Sequence, residues 1–381
     1  MLRFKKEDGS NYPEWQYTKL KDYCLINPKT ENLSNIFLYI DLESVEKGKL
    51  LNEKIIEKTN APSRAERVLT VGDVLFQTVR PYQMNHYIYK KKSNLQVVSS
   101  TGYAQLRVIN GYNNFLYHLL YSQIFNRQVS DRCTGSSYPA ISTSELSKIM
   151  VNIPCFEEQT KIANFLSNVD TLIEDTEKEL ESLKEEKKGV MQRIFSQELR
   201  FTKEDGSSYP AWEKETLNKL CLIKKGKQLH KNDINNNGKF YHLNGGITPS
   251  NYTNLSNTVK NTISISEGGN NCGFVKFNIE EFFSGGHNYT LLEISKSLIN
   301  KFLYYYLKFF EKNIMSLRVG SGLPNIQKKS LEGFLIKFPC LEEQQKIVDH
   351  LSAYDDLIET TQKELDKLKE IKKGLMQQMF M

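Results

Sequence analysis

The fold is decided by the stretch CFEEQTKIANFLSNVD at residues 155–170 and by its second copy, CLEEQQKIVDHLSAYD, at residues 340–355. Without a gap, 25 of the 41 residues from 155 to 195 are identical to those from 340 to 380. An internal repeat of this kind constrains the architecture before any other pattern is considered. The chain is therefore expected to consist of two halves that share one framework.

Both copies carry the heptad pattern of a coiled coil. Seam positions recur in alternating steps of four and three, and charged residues fill most other positions. Such a pattern predicts a helix roughly 60 Å long that cannot bury its seam alone, so its partner is most simply the other copy, packed antiparallel. The alternative is two unrelated surface helices. The seam positions are Ile162, Leu166, Val169, Ile173, Thr176, Leu180, Leu183, Lys187, Val190 and Ile194, and then Ile347, Leu351, Tyr354, Ile358, Thr361, Leu365, Leu368, Lys372, Leu375 and Met379.

A second repeat precedes each globule. The segment LRFKKEDGSNYPEW at 2–15 returns as LRFTKEDGSSYPAW at 199–212, with eleven of fourteen positions identical. Its Asp-Gly and Tyr-Pro pairs predict turns. The order is therefore linker, globule, helix, and then the same again, with a pseudo-two-fold relation if the helices are antiparallel. The predicted domains are residues 1–155 with a long helix at 156–198, and residues 199–340 with a long helix at 341–381.

Each globule shows short apolar runs separated by turns, followed by one helical stretch, which is typical of a mixed α/β domain. The fold class is therefore α/β (mixed), with two globular domains joined by two long helices that form an antiparallel coiled coil. Predicted strands lie at 37–40, 74–76, 87–89 and 103–108, then at 240–243, 262–266, 273–277 and 289–294, and predicted helices lie at 115–125 and 299–310.

The 381 residues carry a net charge of +6 that is unevenly distributed. Residues 157–197 and 342–381 are acidic, with net charges of −4 and −3, whereas residues 1–156 and 198–341 carry +6 and +7. Basic globules suit a phosphate backbone, because neutralising phosphates releases counterions. A moderately basic surface without such a ligand is the alternative.

The chain has no apolar run of transmembrane length and no secretory signal at its start. Its six cysteines lie far apart without a C-x-x-C pair, which indicates neither a zinc ribbon nor a disulfide framework. We expect a cytoplasmic protein with reduced thiols.

Motifs of catalysis are missing from the sequence. It contains no G-x-G-x-x-G, no G-x-x-x-x-G-K-[ST] and no H-E-x-x-H, and its six histidines are scattered. Pro154-Cys155 and Pro339-Cys340 are weakly similar to the nucleophile dipeptide of cytosine methyltransferases, but a structural role between strand and helix fits them better. We therefore predict no catalytic residue, no metal and no cofactor.

Taken in fixed order, the duplicated motifs resemble those of the specificity subunit of type I restriction–modification systems, over nearly the whole chain. Any one of these motifs is weak, whereas two copies in the same order are specific. The motifs are Gly-x-x-x-Pro-x-Ile at 135–141 and 320–326, Glu-Glu-Gln at 157–159 and 342–344, Asp-x-Leu-Ile at 170–173 and 355–358, and Met-Gln at 191–192 and 376–377. The first globule also carries Val71-Gly72-Asp73, whereas the second shows Ile265-Ser266-Glu267-Gly268-Gly269, a departure that implies a different target.

The resemblance implies a non-catalytic DNA-recognition subunit. Each globule would be a target recognition domain that reads one half of a bipartite DNA site, and the helix pair would set the spacer. Two methylation subunits would dock on the chain, and restriction subunits would join that complex. A rigid helix pair also makes the half-site spacing a geometric consequence.

Candidate contacts follow from the residue types that read bases or phosphates on loops. For each of them a solvated surface side chain or turn is the alternative. The predicted DNA-binding residues are Arg80, Tyr82, Gln83, Asn85, Lys91, Lys225, Lys227, Lys231, Asn244, His287 and Asn288, and the predicted partner-binding residues are Gln159, Ile162, Leu166, Gln344, Ile347 and Leu351.

Two other functions compete with this interpretation. A self-contained methyltransferase or nuclease would modify or cut DNA as the isolated chain, and the missing cofactor motifs argue against it. A coiled-coil assembly protein without DNA binding would show no salt-dependent affinity for DNA, and the basic globules argue against that function.

Overall fold

The computed structural model describes residues 2–30, 32–90, 92–320 and 322–380. The chain divides into two compact units: the first holds the residues up to Lys178 together with those from Lys363 onward, and the second holds Glu179–Gln362. Each unit therefore contains one globule, the beginning of one long helix and the end of the other. In the described part of the chain, no helix is both long and apolar enough to cross a membrane.

The first globule is a mixed α/β domain that leads into a long helix. Its elements are β1 (Gln16–Lys19), α1 (Leu20–Tyr23), β2 (Cys24–Ile26), β3 (Ile36–Ile40), β4 (Val45–Glu46), β5 (Lys49–Leu50), β6 (Lys54–Glu57), β7 (Ala65–Val68), β8 (Val74–Gln77), β9 (Tyr87–Ile88), β10 (Gln96–Ser100), β11 (Tyr103–Val108), α2 (Asn113–Leu120), α3 (Gln123–Arg132), α4 (Thr143–Ser147), β12 (Met150–Ile153) and the long helix α5 (Phe156–Phe195).

The second globule follows the second linker in the same manner. Its elements are β13 (Glu213–Thr216), α6 (Leu217–Leu220), β14 (Leu222–Lys225), β15 (Phe240–Leu243), β16 (Asn251–Thr253), β17 (Thr262–Ser266), β18 (Val275–Asn278), β19 (Phe283–Ser284), β20 (Asn288–Leu292), α7 (Asn300–Phe309), α8 (Glu311–Met315), α9 (Lys328–Glu332), β21 (Leu335–Phe338) and the long helix α10 (Leu341–Met379).

One antiparallel sheet is common to both globules. Its order is β2-β11-β8-β9 in the first and β14-β20-β17-β18 in the second. A two-stranded ladder, β1-β12 or β13-β21, ties the end of each linker to the strand that precedes the long helix. The remaining sheets differ, because the first globule has four strands in the order β6-β3-β10-β7 and the second has three in the order β16-β15-β19.

The two long helices are antiparallel within each unit, as the heptads predict. In the first unit, Ile162 near the start of α5 and Met379 at the end of α10 belong to one buried core. Farther along, Asp170 of α5 pairs with Lys372 of α10. In the second unit Lys187 of α5 pairs with Asp355 of α10, which is the same contact with the helices exchanged.

The helix predicted at 115–125 is wrong in its extent, because the structure has two helices there. α2 ends at Leu120, and Ser122 begins α3 as its N-cap, since its hydroxyl accepts a hydrogen bond from the Phe125 amide at 3.3 Å. A serine that satisfies a free amide in this way starts a new helix more readily than it continues an old one. The strand predicted at 273–277 likewise begins only at Val275, after Gly273 turns with φ +93°.

Candidate DNA interface

The duplicated Glu-Glu-Gln motif fastens each long helix to its linker. The side chain of Glu158 is fully buried, and the Arg3 guanidinium donates to its two oxygens at 3.2 and 3.0 Å. Arg200 makes the same fork to the buried Glu343 at 2.7 and 2.7 Å. A buried carboxylate needs such a partner, because an unpaired charge in the interior is strongly destabilising. This explains why the Leu-Arg-Phe segment of the linker and the Glu-Glu-Gln of the helix are duplicated together.

The glutamine of the motif fastens the helix to the globule. Gln159 accepts hydrogen bonds at its side-chain oxygen from the Tyr112 amide (3.0 Å) and the Tyr23 hydroxyl (2.7 Å). Gln344 accepts the Ile299 amide at 2.8 Å in the same way. Each glutamine therefore orients the helix that follows the common sheet against the start of its long helix.

The partner-binding prediction needs correction. All six of its residues are buried, with Gln159 2% exposed and the other five fully buried. They form the core of their own unit, so they are not available as direct contacts for another subunit while the unit is folded. The seam pattern identified them as contact positions but could not show that the globule covers them.

Exposed apolar residues on the long helices are better candidates, and the sequence interpretation missed them. Phe156 and Leu341 are the equivalent first residues of the helices and are 55% and 43% exposed. Leu172 and Leu357, also equivalent, are 50% and 53% exposed. Apolar residues outside the seam at matched positions in both copies were the signal that would have identified them.

Arg80 and Tyr138 lie together at one end of the first globule. Residues 78–85, the first strand-end loop, follow β8, and residues 134–140, the first hairpin, are docked on it through the bridge from Val79 to Ala140. The Arg80 amide donates to the Pro139 carbonyl at 2.7 Å. Its guanidinium carbon lies 4.4 Å from the centre of the Tyr138 ring, which is 67% exposed.

The buried amide of Gln77 holds the first strand-end loop in place. It donates to the Val79 carbonyl and to the Gln83 side chain, both at 2.8 Å, and accepts the Asn85 amide at 3.0 Å. Gln83 and Asn85 are therefore partly engaged in shaping this loop, whereas Tyr82 is 62% exposed. Lys91 lies outside the described residues, so its prediction is not addressed by the structure.

The second globule brings Lys225, Asn244 and His287 together around Glu267. The Lys225 ammonium lies 2.5 Å from one Glu267 oxygen, and His287 Nδ1 lies 3.7 Å from the other. The Asn244 side chain accepts the His287 amide at 3.0 Å, which joins their two loops. The Tyr289 hydroxyl also donates to Glu267 at 3.3 Å, and burial raises the pKa of Tyr289 to about 12, so it stays protonated.

The remaining predictions for the second globule have different outcomes. Lys227 and Lys231 are exposed on the loop after β14. Asn288 is wrong as a base reader, because it is 1% exposed and its amide donates to the Ser284 hydroxyl at 3.2 Å. The preceding residue, His287, lies in the turn before β20 and is exposed.

The first hairpin and its counterpart, which the bridge between Val319 and Asn325 closes, show which positions of the two globules correspond. The Ile141 amide donates to the Thr78 carbonyl, and the Ile326 amide donates to the Glu267 carbonyl. The Gly269 amide donates to the Pro324 carbonyl as Arg80 does to Pro139. Gly269 therefore takes the place of Arg80.

The glycine position of the Gly72-Asp73 element has a counterpart in the second globule. Gly72 has φ +97°, and Asn261, at the equivalent position before β17, has φ +57°. Asparagine tolerates this left-handed conformation better than most residues. The positive φ is kept, but Thr262 stands where Asp73 accepts hydrogen bonds from Gln105 and Arg107 in the first globule, so the aspartate of the element is not reproduced.

The arrangement of the loop residues supports recognition. Among the described residues, no group of three or more histidine, cysteine, aspartate or glutamate side chains is placed to hold a metal ion. Loops with cations, amides and aromatic rings at one end of an α/β domain suit contact with a nucleic acid. A duplicated frame with two unlike loop ends therefore defines a two-domain recognition protein.

The chain belongs to the family of the type I restriction modification DNA specificity domain, whose sequence profile matches residues 12–185 and again residues 210–370. It is similar to a putative type I specificity subunit of Mycoplasma pneumoniae, with 39% identity over 150 residues, which are 39% of this chain and 40% of that protein. It is also similar to the putative type I restriction enzyme MjaX specificity subunit of Methanocaldococcus jannaschii, with 27% identity over 98% of this chain and 94% of that protein.

Solved structures share the fold. The S subunit of a type I restriction–modification system from Mycoplasma genitalium has a TM-score of 0.67 and 18% identity, covering 100% of this chain and 99% of that one. A second chain, from a structure of complex assembly and conformational transition of the type I R-M system, has a TM-score of 0.60 and 24% identity, covering 97% and 98%. The predicted fold class, with two α/β domains and long helices, is confirmed.

Proposed function

We propose that this chain reads a bipartite DNA site for a type I restriction–modification complex, with residues 1–155 and 199–340 as its two target recognition domains. The observation that carries the proposal is the contrast between frame and loop ends. In both units the linker arginine pairs with the buried glutamate of the long helix, and a two-stranded ladder joins the linker to the strand before that helix. Arg80 with Tyr138 in the loops of the first globule, by contrast, is replaced by Gly269 with Leu323 in the second. Two different half-sites require different recognition loops, and here such loops lie on the same framework.

The duplicated surface supports docking of two copies of one partner, which we assign as methylation subunits. Phe156 and Leu172 on α5 recur as Leu341 and Leu357 on α10, each at least 43% exposed. Exposed apolar residues at matched sites favour an interface with a repeated partner. Restriction subunits would join through the methylation subunits. Because the complex would act on cellular DNA, we assign the protein to the cytoplasm.

The proposed role of the long helices is to set the unread spacer. Inserting one heptad after Glu181 and one after Asp366, the equivalent residue of α10, lengthens both helices without disturbing their seam. Seven residues add about 10.5 Å of helix, and that length corresponds to about three base pairs of duplex. We expect a spacer longer by about three base pairs with unchanged half-sites.

Sequencing of methylated adenines in cells that express the chain with its partner subunits measures this spacer. An unchanged spacer with altered half-site bases would contradict the ruler role. Modification of DNA by the isolated chain would favour a self-contained enzyme, and a lack of salt-dependent DNA affinity would favour an assembly protein.

A further inference from the structure

The backbone of Arg80 is in the left-handed region, with φ +52° and ψ +54°. This conformation is unfavourable for a residue with a Cβ, and glycine adopts it readily. The second globule places Gly269, with φ +82°, at the same position. A strained arginine where glycine would fit suggests that the side chain itself is required.

The guanidinium of Arg80 is held but not neutralised. It lies over the Tyr138 ring, with its carbon 4.4 Å from the ring centre, and its Nε is buried without a hydrogen-bond partner. Among the described residues, no carboxylate forms an ion pair with it. The loop beneath is rigid because Gln77, 1% exposed, donates to both Val79 and Gln83.

We propose that Arg80, positioned by Tyr138, is the residue through which the first target recognition domain reads a guanine in the major groove. A planar arginine fork matches the O6 and N7 acceptors of guanine, and no other base offers two acceptors on that edge. Tyr138 is a positioning residue, because its ring lies against the guanidinium, and the buried Nε leaves the two terminal nitrogens as the donors for a base. The second domain has Gly269 and Leu323 there and has no such contact. This inference rests on the proposed function.

The test compares Arg80→Gly and Arg80→Lys with the unchanged chain, each expressed with methylation subunits, by sequencing of methylated adenines. Arg80→Gly removes the side chain and relieves the backbone, so the domain keeps its fold. We expect both variants to accept other bases at one guanine of the first half-site. Discrimination at that position should fall roughly 5- to 150-fold, and the second half-site is the internal control.

Tyr138→Leu and Tyr138→Phe form a matched pair for the positioning role. Leucine, the residue of the second domain, removes the ring, and we expect a partial loss at the same guanine. Phenylalanine keeps the ring, and we expect the native motif. Equal behaviour of the two variants would remove Tyr138 from the proposal.

The outcomes separate the inference from the function on which it rests. Two results would overturn the guanine assignment and leave Arg80 at most a phosphate contact. The first is an unchanged methylation motif in Arg80→Gly. The second is an unchanged motif in Arg80→Lys together with uniformly weaker methylation in Arg80→Gly. If Arg80→Gly abolishes methylation, the affinity of the purified chain is measured for duplexes with single base changes in the first half-site. Loss of the preference for one guanine then supports the assignment, and a uniformly weaker affinity overturns it. Absence of a bipartite motif with the unchanged chain would instead refute the proposed function.

Discussion

The helices α2 and α7 occupy the same place in the two globules and present different side chains to the same partners. His118 of α2 lies 3.1 Å from the Ser167 hydroxyl and 3.9 Å from Asp170. Tyr305 of α7 lies 3.2 Å from the Ser352 hydroxyl and donates to Asp355 at 2.5 Å. The serine and aspartate on the long helix are kept, while the residue facing them has changed.

The same contrast between a kept position and a changed partner recurs in the loops that follow β8 and β17. Gln77 at the end of β8 holds the first strand-end loop, whereas Ser266, its equivalent at the end of β17, donates to the Gly245 carbonyl at 2.6 Å. One polar position thus supports a different loop in each domain. The contacts among linker, common sheet and long helix are under tight geometric constraint because both units use them. The loops are not under this constraint.

The largest effect is expected from breaking the buried arginine–glutamate pairs. Removing the partner of a buried charge typically costs about 3–5 kcal/mol. Arg200→Ala should be more destabilising than Arg3→Ala, because Glu158 also accepts the Trp15 indole N–H at 3.0 Å, whereas the Trp212 indole N–H has no partner. We expect a difference of about 1–2 kcal/mol in the free energy of unfolding, measured by urea denaturation followed by circular dichroism.

The control for this prediction replaces both partners at once. Arg200→Met with Glu343→Met leaves no unpaired charge, so it should recover most of the stability that Arg200→Ala loses. Equal losses for Arg3→Ala and Arg200→Ala would show that the Trp15 contact contributes nothing and that the two linkers are equivalent.

The next effect concerns pH and separates His118 from Tyr305. Burial, with the nearby Lys372 and Lys90, lowers the pKa of His118 to about 3. The unfolded chain takes up a proton below about pH 6.5 while the folded chain does not, so stability is full above that pH and is lost as pH falls toward 3. The loss is about 1.4 kcal/mol per pH unit in this range, or roughly 2 kcal/mol at pH 5.

His118→Tyr places the residue of the second globule in the first, and urea denaturation between pH 7 and pH 5 measures the difference. The variant should lose less stability than the natural chain over this range. Some dependence remains, because burial also lowers the pKa of His86 to about 3. Identical pH profiles for the two proteins would mean that folding leaves the pKa of His118 unchanged, which contradicts the prediction.

Much of the frame could be predicted from the sequence, because the heptads and linkers are repeated and local. The strands around 37–40 and 262–266 also followed from short apolar runs bounded by turns. The partner-binding set failed for a non-local reason: only the folded globule covers Ile162 and Leu351. Asn288 failed because it begins β20, whose first four residues are all buried, and the sequence does not show that this strand is covered on both faces.

The correspondence between Arg80 and Gly269 could not be predicted, since it is defined by hydrogen bonds to hairpins more than fifty residues away in sequence. The Gly72 turn escaped recognition in the second globule because asparagine replaces glycine at a left-handed position. In both cases the backbone geometry is kept while the residue type changes. A sequence comparison detects only the change of residue type. The duplicated hairpin motif was visible, but its role as the clamp of the strand-end loop was not.

The smallest effect is expected from transferring the arginine–tyrosine pair to the second domain, as Gly269→Arg with Leu323→Tyr. An ideal Cβ at Gly269 has no atom within 4 Å, so the side chain has room, and the left-handed backbone should reduce stability by about 1 kcal/mol. If the pair reads guanine, methylated-adenine sequencing should show a new guanine preference in the second half-site and an unchanged first half-site. Gly269→Ala with Leu323→Tyr carries the same backbone strain without a guanidinium, so it separates strain from recognition. A new preference in this control, or none in the arginine variant while methylation persists, would show that the loop ends are not interchangeable and that Arg80 depends on its own surroundings.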